Sequence, residues 1–138
     1  MKLLIDDNIL LDVLMDRNPF VKDSALIWKI CEAGLAEGVV SAHSIANLFY
    51  ILRREMDPVR RKEVLSALQI IFRIEDTRGR DLIRAVELGW EDYEDAVRSV
   101  VAERIRADFL VTRNTKDYAG SKVPAITPED FIRYENIP

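Results

Sequence analysis

Short apolar runs alternate along the chain with longer segments in which apolar residues recur every three or four positions. Leu3-Leu4-Ile5, Val39-Val40, Phe72-Arg73-Ile74, Phe109-Leu110-Val111 and Pro124-Ala125-Ile126 have the length and character of strands. The first is expected to begin at Lys2. Helical spacing is carried by Ile9, Leu10, Val13 and Leu14 across Asn8–Met15. Arg17-Asn18-Pro19-Phe20 then breaks the chain, because proline disfavours helix in the residue before it. A second amphipathic helix is expected over Val21–Ala36, with Gly38 as its terminator. Further helices are expected over Ser41–Arg54, from Asp57-Pro58 to about Ile71, over Gly79–Leu88 and over Asp92–Ile105. Thr127-Pro128-Glu129-Asp130 opens the last one with a cap, a proline and first-turn acids.

Strands that alternate with helices, without tight hairpin signals, predict an α/β fold with a parallel β-sheet flanked by helices on both faces. At 138 residues the chain is expected to be one domain, residues 1–138, with a single sizeable core. It contains no internal repeat, linker or low-complexity stretch.

Composition narrows the function classes. No apolar run approaches the roughly 18 residues of a membrane span, and the first residues lack the features of a signal peptide. The single Cys31 cannot form an internal disulfide, which suits a reducing cytoplasm. Its spacing among Leu26, Ile27, Ile30 and Leu35 makes it core filler. The single His43 excludes a multi-histidine zinc site. Trp28, Phe49, Tyr50 and Trp90 are expected to face inward. A net charge of −4 argues against a chain coated in basic residues for nucleic acid. Two local groups remain open to a phosphate contact or a solvated face: Arg53, Arg54, Arg60, Arg61 and Lys62, then Arg78, Arg80 and Arg84.

The most informative stretch is Asp6-Asp7-Asn8, directly after the first strand. Ligands of an open parallel sheet bind outside the carboxyl ends of its strands. One of these three residues is expected to cap the following helix, which leaves Asp6 unexplained. Arg113, Asn114 and Asp117 follow the Phe109–Val111 strand, and Asp92 and Asp95 start a helix whose N-terminus lies at the same sheet edge. Asp92 also has the spacing of a helix cap, whereas Asp95 is placed to point inward beside Ala96. Converging carboxylates repel one another unless a cation or proton intervenes. Hard oxygen donors select Mg²⁺ or Mn²⁺, ions that recruit phosphate oxygens and activate water.

The opening is similar to the start of a response-regulator receiver domain. That likeness ends at Tyr50–Asp57, which reads as a helix running into a cap rather than a strand ending in a phospho-acceptor. Nearly the whole chain instead resembles the PIN domains, the family that includes VapC-type toxin ribonucleases. The resemblance is carried by Leu4-Ile5-Asp6-Asp7-Asn8 through Leu14, by Ser41-Ala42-His43-Ser44-Ile45-Ala46-Asn47 through Leu52, and by Asp92-Tyr93-Glu94-Asp95-Ala96. It continues through Val111-Thr112-Arg113-Asn114-Thr115-Lys116-Asp117-Tyr118 and the ending from Pro124 to Phe131.

The resemblance implies a Mg²⁺- or Mn²⁺-dependent endoribonuclease, cytoplasmic and homodimeric, with RNA as substrate and an antitoxin protein as partner. Carried over by position, Asp6 and Asp95 are metal-binding acids, and Asn114 or Asp117 takes the fourth place. Arg113, Arg53 and Arg54 are candidate phosphate contacts. The chain departs from the family pattern at Asn47, where glutamate is usual, and at Asp7, where a small hydroxyl residue is usual. An amide brings no charge and cannot act as a base. The alternative is therefore a catalytically weakened PIN-fold module that binds RNA or a protein.

Overall fold

Leu3 and Ile5 lie in the core on one face of the first strand and Leu4 in the core on the other, and none of the three reaches solvent. Val40 and Val39 divide the second strand in the same way. A strand covered on both faces loses the polar alternation of a half-exposed one, which is why these segments read as unbroken apolar runs.

The computed structural model describes residues 1–135. Five strands, β1 (Lys2–Ile5), β2 (Glu37–Ser41), β3 (Arg73–Glu75), β4 (Phe109–Val111) and β5 (Ala125–Ile126), form one sheet in the order β3-β2-β1-β4-β5. Every pairing is parallel, with Leu4 opposite Val39 on one side and Leu110 on the other. The helices are α1 (Asp7–Leu14), α2 (Val21–Glu32), α3 (Ala42–Leu52), α4 (Pro58–Ile71), α5 (Gly79–Leu88), α6 (Tyr93–Arg104) and α7 (Pro128–Tyr134), with a 3₁₀ turn at Thr115–Tyr118. Residues of α1, α2, α3, α4 and α7 build the core on one face. Ala85 of α5 and the long buried side of α6 build the other.

The expected caps at Asp57 and Thr127 are present, accepting from the amides of Arg60 (2.8 Å) and Asp130 (3.1 Å). Three local expectations need correction. The second helix ends at Glu32, with Gly34 at φ +75, and Leu35 is exposed rather than packed beside Cys31. Gly38 is not a terminator but a strand residue. A Cβ there would lie 2.6 Å from Cys31 Sγ and 2.7 Å from Phe72 Cδ1, so glycine is set by packing. Tyr50 faces outward, 63% exposed. Cys31 is core, as its spacing indicates, and burial pushes its thiol up to about 12. Among the described residues, no helix is long and apolar enough to cross a membrane.

Candidate functional site

The ends of β1, β2 and β4 and the first turns of α1, α3 and α6 meet at one edge of the sheet. Asp6 occupies the N-cap position of α1, yet neither it, Asp7 nor Asn8 caps that helix through its side chain. Asp6 is instead drawn across the sheet. Its amide donates to the Val111 carbonyl (3.0 Å), and its Oδ2 accepts from the buried Thr112 hydroxyl (2.7 Å). The same hydroxyl accepts from the Asn114 amide (3.1 Å), tying the β4 loop to the first strand.

The centre of the site is Arg98, a residue to which the sequence reading gave no role. It lies one turn after Asp95 on α6, and its side chain is only 4% exposed. Nε and Nη2 donate to the two oxygens of Asp7, and Nη1 donates to Asp95 Oδ1 (2.9 Å). Nε also donates to Ser44 (3.1 Å) and lies 3.6 Å from Asp6 Oδ1. Asn47 donates to Asp7 Oδ2 (2.7 Å), and the Tyr118 hydroxyl donates to Asp95 Oδ1 (2.9 Å).

This arrangement defines the contacts of Asp7. Both of its oxygens are consumed by Arg98 and Asn47, and it takes two of the three guanidinium nitrogens. It does not replace the missing acid at Asn47. Asp6 Oδ1 and Asp95 Oδ2, by contrast, accept no hydrogen bond from a side chain among the described residues. Burial is the main cause that raises the Asp6 carboxyl above its ordinary range, against the pull of Arg98. Burial raises the Asp95 carboxyl to about 6, opposed by the Tyr118 hydroxyl and reinforced by the charge of Asp6.

Around this centre, Ser41 bridges Ser44 (3.1 Å) and His43 Nδ1 (2.7 Å), and the His43 amide donates to Thr77 (3.1 Å). His43 Nε2 is buried without a partner among the described residues, and burial lowers the imidazole pKa, keeping it neutral. Arg98 is similarly held as a cation, because the charges of Asp7 and Asp6 outweigh its burial.

The other sequence candidates lie further out. Asp92 caps α6, accepting from the Asp95 amide (3.0 Å). Asp117 is exposed on the 3₁₀ turn and shares with Asp92, Glu94, Tyr93 and Trp90 the wall of an open groove of about 920 Å³. No described contact joins it to Asp6 or Asp95. Asn114 is exposed and reaches the centre only through its backbone. Arg53 and Arg54 are exposed at the end of α3, where Arg53 stacks on Tyr50 at 3.7 Å. Arg113 is half-buried, ion-paired to Asp12 at 3.0 Å and stacked on Phe20 at 3.9 Å. The signal for Arg98 was available: a lone charge inside Ala96-Val97-Arg98-Ser99-Val100, three residues from an acid on the same helix face.

Residues 2–116 match the PIN domain family. A toxin–antitoxin complex from Klebsiella pneumoniae superimposes with a TM-score of 0.68 at 25% identity, covering 91% of this chain and 96% of that one. The structure of FitAB bound to an IR36 DNA fragment gives 0.72 at 14% identity, over 91% and 94% of the two chains. VapC20 from Mycobacterium tuberculosis, described as a sarcin-ricin loop cleaving toxin, gives 0.63 at 13%, over 78% and 86%. The last two likenesses are of fold alone. No curated protein matches the chain.

Proposed function

The chain belongs to the PIN domain family, and from that premise we propose that it is a Mg²⁺- or Mn²⁺-dependent endoribonuclease, the toxin half of a toxin–antitoxin pair. The observation that carries this reading is the charge pattern around Arg98. Arg98 holds both oxygens of Asp7 but only one of Asp95, which leaves Asp6 and Asp95 as two buried carboxylates with one oxygen each free of side-chain donors. Among the described residues no three acidic, histidine or cysteine side chains form a ready-made metal cluster. Two carboxylates nevertheless fit Mg²⁺ or Mn²⁺, which are commonly held by one or two protein carboxylates together with water and substrate phosphate.

Asp6 and Asp95 would hold the ion. When bound, it supplies Lewis acidity toward a phosphodiester and lowers the pKa of a water. Thr112 fixes the Asp6 carboxylate, and Tyr118 with Arg98 fixes that of Asp95, so both metal-binding oxygens are preorganised. Asn47 acts through Asp7 rather than as a ligand, and Asp117 faces the groove along which an RNA strand would run. The likeness to the Klebsiella complex supports an antitoxin as protein partner. Leu82, Ile83 and Val86 on the exposed side of α5 are available to a second copy in a homodimer.

The deciding experiment is Asp6→Asn. It is expected to abolish Mn²⁺-dependent cleavage of RNA while thermal unfolding stays cooperative; undiminished cleavage would overturn the reading. A second reading, a PIN-fold module that has lost cleavage, is favoured by the commitment of Asn47 to Asp7. Calorimetry separates the two: no Mn²⁺ uptake up to millimolar concentration, with RNA present, selects the module.

A further inference from the structure

Asp12 is a charged residue of α1 with no solvent exposure, and the proposed chemistry does not use it. Its Oδ2 accepts from the Ser24 hydroxyl (2.9 Å) and lies 3.0 Å from Arg113 Nε. Its Oδ1 accepts no hydrogen bond, and the nearest cation is Arg17 Nη1 at 3.9 Å. One buried carboxylate is thus shared by two guanidiniums, and both are always charged. One positive charge is left over, and the terminal nitrogens of Arg113 donate to no described residue.

These arginines adjoin the acidic centre from two directions. Thr112, the residue before Arg113, donates to Asp6. Asn8, the residue after Asp7, accepts from Arg17 Nη1 (3.3 Å). Phe20 stacks under Arg113 and forms one wall of a recess of about 320 Å³ with Pro19, Ser24 and Thr127. Asp23 and Glu129 also line that recess, and Glu129 is paired with Arg133 at 2.7 Å.

We propose that Arg17 and Arg113, held together on Asp12, form a clamp for a backbone phosphate of RNA next to the Asp6–Asp95 centre. This rests on the reading of the chain as a ribonuclease. Asp12 is a positioning residue: its ion pair lies on the Nε side of Arg113, at 3.0 Å but without hydrogen-bond alignment, leaving the outer nitrogens to make the planar, two-bond contact that suits phosphate. The clamp answers an electrostatic need, because the centre and its groove are lined with acids that repel a polyanion. Arg53 and Arg54 make no described contact with this edge.

The test is the salt dependence of RNA affinity, measured without metal in the Asp6→Asn background with a short fluorescein-labelled single-stranded RNA. Arg17→Gln and Arg113→Gln are each expected to flatten the slope of log affinity against log salt by about 0.7, the share of one single-strand phosphate contact. Arg17→Lys is expected to restore it, a rescue that a purely structural role would not show. Arg133→Gln, on α7, is expected to leave the slope unchanged. Undiminished slopes in both Gln variants would overturn the clamp while leaving the ribonuclease reading intact, and would assign the arginines to a protein partner. An Asp6→Asn protein that binds no RNA, from a wild type that cleaves none, would overturn both.

Discussion

Arg98 grips Asp7 with two nitrogens, Nε on Oδ1 at 3.2 Å and Nη2 on Oδ2, and their side chains are 4% and 6% exposed. Arg98 also bonds to Asp95 and lies 3.8 Å from the exposed Glu94, whereas Arg98 is the one cation that Asp7 meets among the described residues. Removing one partner of a buried pair typically costs about 3–5 kcal/mol, because the other charge is left uncompensated. Arg98→Met, which leaves Asp7 buried without a cation, is therefore expected to destabilise the fold by that order, and Asp7→Leu by less, because Asp95 and Asp6 still face the guanidinium. Asp7→Leu with Arg98→Met is expected to cost clearly less than the sum of these two single changes, since neither partner is left as a buried charge without the other. Urea unfolding of the single and double variants measures this; additive losses would show that the two residues are uncoupled.

The same pair makes a prediction about metal. Asp7→Asn frees a guanidinium that already lies 3.6 Å from Asp6 Oδ1 and bonds to Asp95. Arg98 is then expected to swing toward these carboxylates and weaken Mn²⁺ binding at least tenfold, the effect of about 1.4 kcal/mol, although Asp7 is no ligand. Isothermal calorimetry reads this directly, and unchanged affinity would mean that Asp7 does not hold Arg98 back.

Thr112 serves both strands of the site, donating to Asp6 and accepting from the Asn114 amide. Thr112→Val keeps the volume but leaves a buried carboxylate oxygen and an amide without their partner. A loss of about 1–3 kcal/mol is expected, with a larger fall in kcat than in KM, because Asp6 loses its fixed orientation. Thermal melts and steady-state cleavage together check it.

How far the sequence shows the site follows from which interactions are local. The Asp57 and Thr127 caps are chemistry within three residues, and both are where the pattern puts them. Asp6 and Asp95 stand out because acids interrupt buried elements, and both are buried at one edge. The partnership of Asp7 with Arg98 spans 91 residues, so the sequence can mark Arg98 as a charge inside an apolar run but cannot name Asp7 as its partner. Gly38 departs from its expected role for a similar reason. A glycine after a helix suggests a terminator, whereas here the cause is Cys31 and Phe72 closing over a strand.

That cause is testable. Gly38→Ala puts a methyl within 2.7 Å of two buried side chains, one of them a ring packed edge-on against Trp28 at 5.3 Å. Overpacking of this kind costs about 1–3 kcal/mol. Adding Cys31→Ala removes the nearer clash and is expected to recover part of the loss in urea unfolding; no recovery would place the strain on Phe72.

Asp95 links stability, pH and metal. Its folded pKa of about 6 lies above the ordinary 3.8, chiefly because burial penalises the charged form. The folded state thus holds the extra proton between those values, and its contribution to stability is fully present below about pH 4 and lost as pH rises through about 6. Relative to Asp95→Asn, the metal-free wild type is expected to lose stability across that window. The Tyr118 hydroxyl opposes the shift by donating to Oδ1. Tyr118→Phe removes the donor, so the carboxyl should rise further and the window should move upward. Because Mn²⁺ needs the ionised carboxylate, the pH at which binding reaches half its full strength is expected to rise in Tyr118→Phe. Calorimetric titrations from about pH 5 to about pH 8 would measure it. An unmoved midpoint would show that the Tyr118 hydroxyl does not tune the acid, and a lowered one would show that it donates to the protonated form instead.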